Sequence, residues 1–389
     1  MQENNKPIAL LCYDFFYPGF KAGGPIQSLT NLINVLQETF DCKVLTSAHD
    51  LYSDQVYEGV RVNEWNTVTV PGTARAIEVW YAENGKPALS DWKKIITQCK
   101  PEFIYLNGMY SYRFVLLPLL TKKLYKSCRL QVYVLSPRGM LQRGSMEGKF
   151  AKKKIYFSLI RLLGLMKGIR WHATNEEEEK DIRLNIHANA TYIQIAANVP
   201  KKPVESLEKM EKNVGRLSIV YLSLIAEKKN LYFLLELIKK VGDRVSLDIY
   251  GPLKDPAYWQ KCKALADTMP NVQYKGEVLP QNVQSTISKY HLLALPTKGE
   301  NFGHALYESL SVGRPIVTSY FTPWNNLEEK GAGWNVDINS IDAASAVLNE
   351  IIAMGQEQFD QYCTNALQLA KEYYKPATYK QQYQKVFSK

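Results

Sequence analysis

Strand-like and helix-like segments alternate along the chain, and this alternation restricts the fold more than any other feature of the sequence. In the first half, the clearer strand-like segments are residues 8–13, 60–62, 77–81, 103–106 and 130–135. An apolar stripe with helical spacing follows the first of them, at residues 26–36. The alternation predicts a doubly wound, mostly parallel sheet. Ligands bind such sheets at the carboxyl ends of the strands.

The pattern starts again in the second half of the chain. Strand-like segments there are residues 217–222, 245–252, 272–278 and 292–296. A polar, charged segment, 201–213, precedes them and has the composition of a linker. Because 389 residues are long for a single hydrophobic core, the sequence predicts two domains of typical size.

Two carboxylates with seven residues between them, Glu300 and Glu308, lie where the last of these strands passes into a helical pattern. Gly313 and Pro315 end that pattern. We expect Glu300 in the turn after the strand and Glu308 about two turns into the helix. The first backbone N–H groups of a helix suit a phosphate, and the glutamates can accept hydrogen bonds from hydroxyls on either side of it. A diphosphate flanked by two hydroxylated rings is a nucleotide sugar.

This strand, turn and helix resembles the donor site of retaining glycosyltransferases of family 4, which have the GT-B fold. Their signature is two glutamates separated by seven residues, with Phe-Gly soon after the first. The matching residues here are Glu300, Phe302, Gly303, Glu308 and the Gly-Arg-Pro of 313–315. The segments 322–324 (Thr-Pro-Trp) and 331–334 also look like those of bacterial enzymes that assemble polysaccharides.

The resemblance implies an α/β protein with two Rossmann-like domains that face each other across a deep cleft. Residues 1–200 would form the N-terminal acceptor domain, and residues 201–372 the C-terminal donor domain that binds the nucleotide sugar. Residues 360–389 read as helix. Its last part, 373–389, would cross back onto the first domain.

The resemblance also implies a role for each candidate residue. Glu308 would bind the ribose hydroxyls and Glu300 the hydroxyls of the transferred sugar. Lys229, the amides of Gly303 and His304, and the Gly23–Gly24 loop would hold the diphosphate. Asn301 and Phe302 belong to the same donor loop, and the turns at Gly251 and Gly276 would form the base pocket, with the backbone of Val278 as a base contact. Glu300, Lys229 and Arg138 are the residues placed closest to the chemistry.

Two of these assignments have plain structural alternatives. A glycine pair between a strand and a helix lets backbone approach a ligand closely, yet Gly23–Gly24 read alone is a flexible turn. Arg138 stands where many similar enzymes have a His that positions the sugar. A guanidinium suits an acidic or phosphorylated partner, and an Arg that fixes its own loop is the equal alternative.

The sequence departs from the family pattern at Leu224. Similar enzymes usually carry an Arg there and a Lys five residues later, and both hold the diphosphate; Lys229 matches the Lys. Loss of one cation from a diphosphate site weakens charge stabilisation by ~2 kcal/mol or more unless it is replaced. The candidates to replace the missing Arg are Arg138, Lys21, Lys228 and His304. The alternative is an impaired site.

Basic residues are concentrated in the segment 149–170, which has seven cations and no acid. A basic amphipathic helix of this kind can lie on an anionic membrane surface. The alternative is a buried helix with lysines that extend from its rim to water. The formal charge of the whole chain, +10, fits anionic partners in general. Nucleic acid is not expected, because no recognition motif accompanies the charge.

No Asp-x-Asp occurs in the chain, so the usual metal-binding signature of the other main glycosyltransferase architecture is absent. We therefore expect no metal and no cofactor, with Lys229 and the helix N-terminus in place of a divalent ion. The expected activity is that of a metal-independent, hexosyltransferase-type enzyme. It would move a sugar with retention from a nucleoside diphosphate, UDP before GDP, to a saccharide or lipid-linked saccharide. The setting would be cell-surface polysaccharide such as lipopolysaccharide.

Two other functions compete with this one. The first is a nucleotide-sugar 2-epimerase, although such proteins usually lack the Phe-Gly and Thr-Pro-Trp features. The second is a non-catalytic subunit that binds a nucleotide sugar or glycan, which Leu224 favours. The cysteines are scattered without C-x-x-C pairing, as in reducing compartments. The expected location is the cytoplasm. A peripheral position at the inner face of the cytoplasmic membrane is the second prediction.

Overall fold

The computed structural model describes residues 6–142, 150–186 and 192–388. Contacts within the chain divide it into two compact units. The first unit comprises Met1–Val199 and Pro376–Lys389, and the second comprises Pro200–Lys375. Each unit is built on one sheet with helices around it. Within the described residues, no helix combines the length and the apolar character needed to cross a membrane.

The described strands of the first unit form an eight-stranded sheet in the order β3-β4-β2-β1-β5-β6-β7-β8. These strands are β1 Ile8–Cys12, β2 Asp41–Ser47, β3 Trp65–Val68, β4 Ile77–Ala82, β5 Phe103–Asn107, β6 Val132–Ser136, β7 Arg170–Ala173 and β8 Ile193–Ile195. Neighbouring strands are parallel except the β3–β4 pair at one edge. The helices in the same stretch are α1 Gly24–Leu36, α2 Leu89–Cys99, α3 Leu117–Leu124, α4 Phe150–Leu162 and α5 Glu176–Ile186.

The strand predicted at residues 60–62 is wrong. The edge strand is Trp65–Val68, and it runs antiparallel to β4. The side chain of Asn66 accepts a hydrogen bond from the backbone N–H of Arg61 at 2.9 Å and donates to the carbonyl of Arg61 at 2.8 Å. Asn63 has a positive φ of 57°. These features make residues 61–64 a turn before the strand, because an Asn side chain can replace backbone partners in this way.

The second unit has a six-stranded, wholly parallel sheet in the order β11-β10-β9-β12-β13-β14. Its strands are β9 Leu217–Leu222, β10 Val245–Tyr250, β11 Val272–Gly276, β12 Leu292–Leu295, β13 Ile316–Ser319 and β14 Gly333–Val336. Its helices are α6 Leu231–Val241, α7 Pro256–Ala266, α8 Val283–Ile287, α9 His304–Ser311, α10 Ile341–Ala353 and α11 Gln356–Tyr373. The two sheets confirm the predicted α/β class with two Rossmann-like halves.

The single helix predicted over residues 360–389 is also wrong. Helix α11 ends at Tyr373, and a separate helix, α12, spans Pro376–Val386. Pro376 disfavours helical backbone in the residue before it, which explains the break. Helix α12 belongs to the first unit, where the ring of Phe387 packs against those of Phe40 and Phe103 with centroids 5.6 and 5.5 Å away.

Candidate functional site

The strand order of the second sheet reverses between β9 and β12, and such a reversal opens a crevice at the carboxyl ends of the strands. The loops that follow these two strands are hydrogen-bonded to each other there. The N–H of Lys298 donates to the carbonyl of Lys228 at 2.8 Å, and Thr297 Oγ1 donates to the same carbonyl at 3.1 Å. The two loops that carry the predicted residues Lys229 and Glu300 are therefore joined at their backbones.

Lys229 and Glu300 form an ion pair between Nζ and Oε1. Their side chains are only 21% and 12% exposed, so the pair is partly withdrawn from water. Within the described chain, the Lys229 ammonium makes no second hydrogen bond. An ammonium has three N–H donors, so two remain for a phosphate oxygen. The sequence assigned these residues to different parts of the ligand, and the structure adds that they contact each other.

Leu224 is half-buried in the loop after β9. Lys228, in the same loop, lies beside the donor loop: a β-carbon placed on Gly299 would be 3.4 Å from its Cε. Lys228 thus supplies a second cation next to Glu300. Its replacement of the missing Arg remains a prediction.

Helix α9 begins at His304 and has Gly303 as its N-cap, with a positive φ of 78°. A β-carbon on Gly303 would approach Cδ1 of Leu306 to 2.8 Å, so this position requires glycine. Glu308 is the fifth residue of the helix. It lies little more than one turn from the start, and the predicted two turns were wrong because the helical pattern begins only after Gly303.

The carboxyl of Glu308 is nearly buried, with 7% of the residue exposed. Burial raises its pKa to about 7, and Lys201 acts in the opposite direction. No hydrogen bond to this carboxyl is found within the described residues. Its oxygens are not among the fully buried polar atoms that lack a partner in the described chain, so they keep a small contact with solvent. The carboxyl is available to accept hydrogen bonds from a ligand.

The motif residues around Phe302 form one aromatic cluster. The Phe302 ring packs against those of Tyr307, Trp324 and Tyr373, with centroids 5.6–5.8 Å apart. His304 lies 4.8 Å away on the same ring. The indole N–H of Trp324 donates to the carbonyl of Phe302 at 2.6 Å. This cluster fixes the backbone from which the Gly303 and His304 amides project, and it joins the Phe-Gly and Thr-Pro-Trp motifs.

The predicted base-pocket turns lie at the ends of adjacent strands. Gly251 donates its N–H to the carbonyl of Gly276 at 2.9 Å. A β-carbon on Gly251 would be only 1.8 Å from the carbonyl oxygen of Ser223, so a side chain there would displace the loop that leads to Lys229. Val278 is half-buried just beyond Gly276, and Asn301 is half-buried in the donor loop. A base contact at Val278 remains a prediction.

The Gly23–Gly24 loop of the first unit is held by a residue that sequence reasoning missed. Asp50 accepts hydrogen bonds from the N–H groups of Phe20 at 2.9 Å and Lys21 at 3.2 Å. Gly23 has a positive φ of 66° and precedes helix α1. Asp50 follows strand β2, which was not among the predicted strand-like segments, so no sequence signal pointed to its position. The contacts make this loop ordered and do not test its binding to a diphosphate.

Arg138 has all of its nitrogens engaged within the first unit. Nε donates to Asn107 Oδ1 at 2.7 Å, and the two terminal nitrogens donate to the hydroxyl of Tyr105, at 2.8 Å, and to Asn198 Oδ1. A side-chain hydrogen bond also joins Arg138 to Tyr383 of helix α12. These contacts support the alternative in which Arg138 fixes its own loop. A direct role toward the sugar remains a prediction.

His172 extends this set of contacts. Its Nδ1 lies 2.7 Å from the hydroxyl of Tyr105, and its Nε2 lies 2.8 Å from the carbonyl of Ala196. Burial, and then the charge of Arg138, lower the pKa of His172 to about 3. The ring is therefore neutral, and its contacts are structural.

The basic helix is amphipathic in a way that the sequence alone left open. Phe157 and Ile160 of α4 are buried. Ile155, Leu159 and Leu162, spaced along the helix at i, i+4 and i+7, are 69%, 46% and 85% exposed. The alternative of a buried helix therefore holds for one side of α4 only. Lys149, at the start of the predicted segment, lies outside the described residues.

No group of three or more His, Cys, Asp or Glu residues that could hold a metal ion is found in residues 6–142, 150–186 and 192–388.

Comparisons with known proteins agree with the predicted family. A sequence model of the family described as Glycosyl transferases group 1 matches residues 205–367. No curated protein matches the chain by sequence. Sucrose-phosphate synthase from Thermosynechococcus elongatus is similar in structure, with a TM-score of 0.72 at 13% identity, covering 98% of each chain.

Two further solved structures are similar over their whole lengths. Anabaena HepE, determined in complex with UDP and glucose, gives a TM-score of 0.69 at 12% identity, covering 98% of this chain and 99% of that one. A mutant of S. aureus TarM, in complex with UDP, fondaparinux and alpha-GlcNAc-glycerol, gives 0.70 at 12%, covering 98% and 100%. At such identities the likeness shows the fold. Residues 205–367 therefore form a domain of the glycosyl transferases group 1 family, and the chain has the GT-B fold of the glycosyltransferases that it resembles.

Proposed function

We propose that this chain is a retaining, hexosyltransferase-type glycosyltransferase. It moves a sugar from a UDP-sugar to a hydroxyl of a saccharide or lipid-linked saccharide in cell-surface polysaccharide biosynthesis. The observation that carries the proposal is the nearly buried carboxyl of Glu308, which has no hydrogen-bond partner in the described chain. A ribose offers two adjacent hydroxyl donors, from which this poorly solvated carboxyl can accept hydrogen bonds.

The neighbouring groups match the remainder of a UDP-sugar. The N-terminus of α9 presents the amides of Gly303 and His304, which favour a phosphate. Lys229 adds a cation with N–H donors to spare, and its partner Glu300 keeps acceptor capacity for sugar hydroxyls. UDP is favoured over GDP from the family resemblance and from the UDP bound in the HepE and TarM structures.

The reaction then depends on positioning and charge. The bond between the anomeric carbon and the diphosphate oxygen breaks, and the acceptor oxygen bonds to the same face of that carbon. The acceptor proton passes to the departing phosphate oxygen, so no side-chain nucleophile is required. Lys229 and the α9 N-terminus stabilise the charge that develops on the leaving UDP, a role that a divalent ion has in other enzymes.

The test is calorimetric titration of UDP and GDP without metal, on the wild type and on Glu308→Ala. We expect micromolar binding of UDP by the wild type and its loss in the variant. Glu236→Ala is the matched control, because Glu236 is an exposed glutamate on helix α6 of the same unit and should leave binding unchanged. Absence of UDP binding by the folded wild type, judged by circular dichroism, contradicts the proposal.

Leu224 favours a second candidate, a subunit that binds a nucleotide sugar without turnover. Release of UDP from UDP-glucose separates the two, since an enzyme of this class releases UDP during transfer and a binding subunit does not. A 2-epimerase would instead change the configuration of the sugar at carbon 2, which the same reaction mixtures reveal by sugar analysis.

The exposed stripe of α4 supports a peripheral position at an anionic membrane surface, at the cytoplasmic side. The apolar residues Ile155, Leu159 and Leu162 can enter the lipid interface while the exposed cations Arg161 and Lys167 contact the headgroups. The wild type should therefore sediment with phosphatidylglycerol vesicles and not with phosphatidylcholine vesicles. Leu162→Ser should lose sedimentation with phosphatidylglycerol vesicles. Leu130→Ser is the control, because Leu130 is equally exposed outside this helix. Equal sedimentation of both variants would exclude the α4 surface.

A further inference from the structure

Two adjacent aromatic side chains project from the loop after strand β13. Tyr320 is 59% exposed and Phe321 is 56% exposed. Large aromatic side chains usually bury most of their surface, and contiguous exposed apolar groups commonly mark a binding site. No residue of this pair was given a role by the sequence analysis.

The exposure does not come from a loose loop. Ser319 Oγ donates to the carbonyl of Thr297 at 2.5 Å and accepts from the N–H of Phe321 at 3.2 Å. On the other side, Asn325 donates to the carbonyl of Thr322 at 2.9 Å. The loop backbone is therefore fixed at both ends, and an aromatic pair held on a fixed backbone is already ordered for contact with a ligand.

The same loop is joined to the donor loop. The N–H of Glu300 donates to the carbonyl of Phe321 at 2.9 Å, so the loop of the aromatic pair is joined through its backbone to the loop that carries the carboxylate proposed to hold the transferred sugar. The Glu300 side chain is only 12% exposed, whereas both aromatic rings are mostly open to solvent. A ligand on these rings would therefore be held by the loop that is bonded to the Glu300 backbone, on groups more open to solvent than the Glu300 carboxylate.

We propose that Tyr320 and Phe321 form a stacking surface for a pyranose ring of the acceptor saccharide. The inference rests on the proposed glycosyl transfer. The face of an aromatic ring is electron-rich and attracts the weakly positive C–H groups that line the apolar face of a pyranose. An incoming saccharide has such a face, and stacking here would place it beside the sugar to be transferred. The tyrosine hydroxyl adds a hydrogen-bonding group at the edge of the surface.

The experiment has two arms and uses the double variant Tyr320→Ser/Phe321→Ser of the full chain. In the first arm, calorimetry measures binding of UDP and of UDP-glucose. We expect both affinities to stay within about twofold of the wild type, because the aromatic pair does not touch the nucleotide or the transferred sugar in this proposal. In the second arm, binding to an array of immobilised oligosaccharides is measured with UDP present.

In the array, we expect the wild type to bind a subset of saccharides and the double variant to lose at least about tenfold in affinity for them. Tyr320→Phe/Phe321→Tyr keeps both rings and should retain binding. Tyr112→Ser is the matched control, since Tyr112 is an aromatic residue of the first unit with similar exposure. Saccharide binding that is equal in wild type and double variant overturns the proposal, as does a wild type that binds UDP and no saccharide.

A selective loss of UDP-glucose affinity, with UDP and the array unchanged, would also overturn it, because the rings would then serve the transferred sugar. Failure of the wild type to bind UDP at all would instead remove the proposed function itself. The two failures are thus distinguishable by the first arm.

Discussion

The two units place polar groups at the carboxyl ends of similar parallel sheets, yet they satisfy them differently. In the first unit, Arg138 is enclosed by Asn107, Asn198, Tyr105 and Tyr383, and each of its nitrogens has a partner. We call these five residues the arginine cluster. Arg138 thereby stabilises the fold and keeps little capacity for a ligand, although the amide nitrogen of Asn107 in the same cluster is buried without a partner in the described chain.

In the second unit, Lys229 and Glu300 pair with each other and retain unused donors and acceptors, and Glu308 is buried with no hydrogen-bond partner in the described chain. We call these three residues the open site. The comparison shows that the charge of a residue predicts ligand binding less well than the number of its donors and acceptors that have no partner in the protein. Variants that separate stability from binding test this difference.

The largest expected effect on stability is at Arg138. Arg138→Met would leave the buried acceptors of the arginine cluster without a donor, which costs roughly 1–3 kcal/mol for each acceptor left unsatisfied. Urea denaturation should show the loss in the transition of the first unit, while UDP affinity of the folded protein changes little. A folded variant with normal stability and lost turnover would instead support a direct role for Arg138 in the reaction.

Lys229→Met should show the opposite pattern. Loss of one preorganised charge at the departing diphosphate typically lowers turnover about 10²–10³-fold, or ~3–4 kcal/mol. The stability loss should stay near 1 kcal/mol, because the pair keeps some access to water. UDP release from UDP-glucose measures the first quantity and urea denaturation the second. Lys298→Met, at an exposed cation paired with Glu227, is the control, and equal effects of both variants would break the comparison.

Glu308 predicts a pH dependence of stability. Its folded-state pKa is raised to about 7 from 4.5, so the neutral form contributes stability at low pH that is lost as pH rises through 7. Glu308→Gln removes this ionisation. Without ligand, the free energy of unfolding of the wild type should fall relative to that of the variant by roughly 2–3 kcal/mol between pH 4 and pH 8. Urea denaturation at both pH values measures the change, and a constant difference would mean that Glu308 is not desolvated.

The sequence predicted the fold well because alternation and strand-to-helix turns are local signals. It also placed Glu300 and Lys229 in loops after strands, and the order reversal of the sheet then brings those loops together. It failed at residues 60–62, where an Asn side chain turned a strand-like segment into a turn, and across 360–389, where Pro376 divides a helical pattern.

The partners of the site were beyond the reach of sequence patterns. The Asp50 carboxylate, the Tyr105–His172 contact and the aromatic cluster on Phe302 join residues far apart in the chain. Their pairing depends on which strands are neighbours, and no local period encodes that. Arg138 shows the consequence: its residue type left anion binding and a structural role equally open, and only its surroundings revealed that its nitrogens are occupied.

The smallest predicted effect concerns the connection of helix α12 to the arginine cluster. The hydroxyl of Tyr383 donates to the carbonyl of Ala197 at 3.1 Å and is also bonded to Arg138. Tyr383→Phe should therefore cost about 1 kcal/mol in the free energy of unfolding. If the arginine cluster acts as one unit, the cost of Tyr383→Phe in the Arg138→Met background should differ from its cost in the wild type by roughly 0.5–1 kcal/mol.

That coupling follows from a double-mutant cycle measured by urea denaturation. Tyr307→Phe serves as the control, because Tyr307 is a buried tyrosine of the second unit whose hydroxyl donates to Ala370 at 3.4 Å. Combined with Arg138→Met, it should be additive. Additivity at Tyr383 as well would mean that α12 packs on the first unit without sharing the cluster's free energy, and the closed network would then shrink to Tyr105 and the two asparagines.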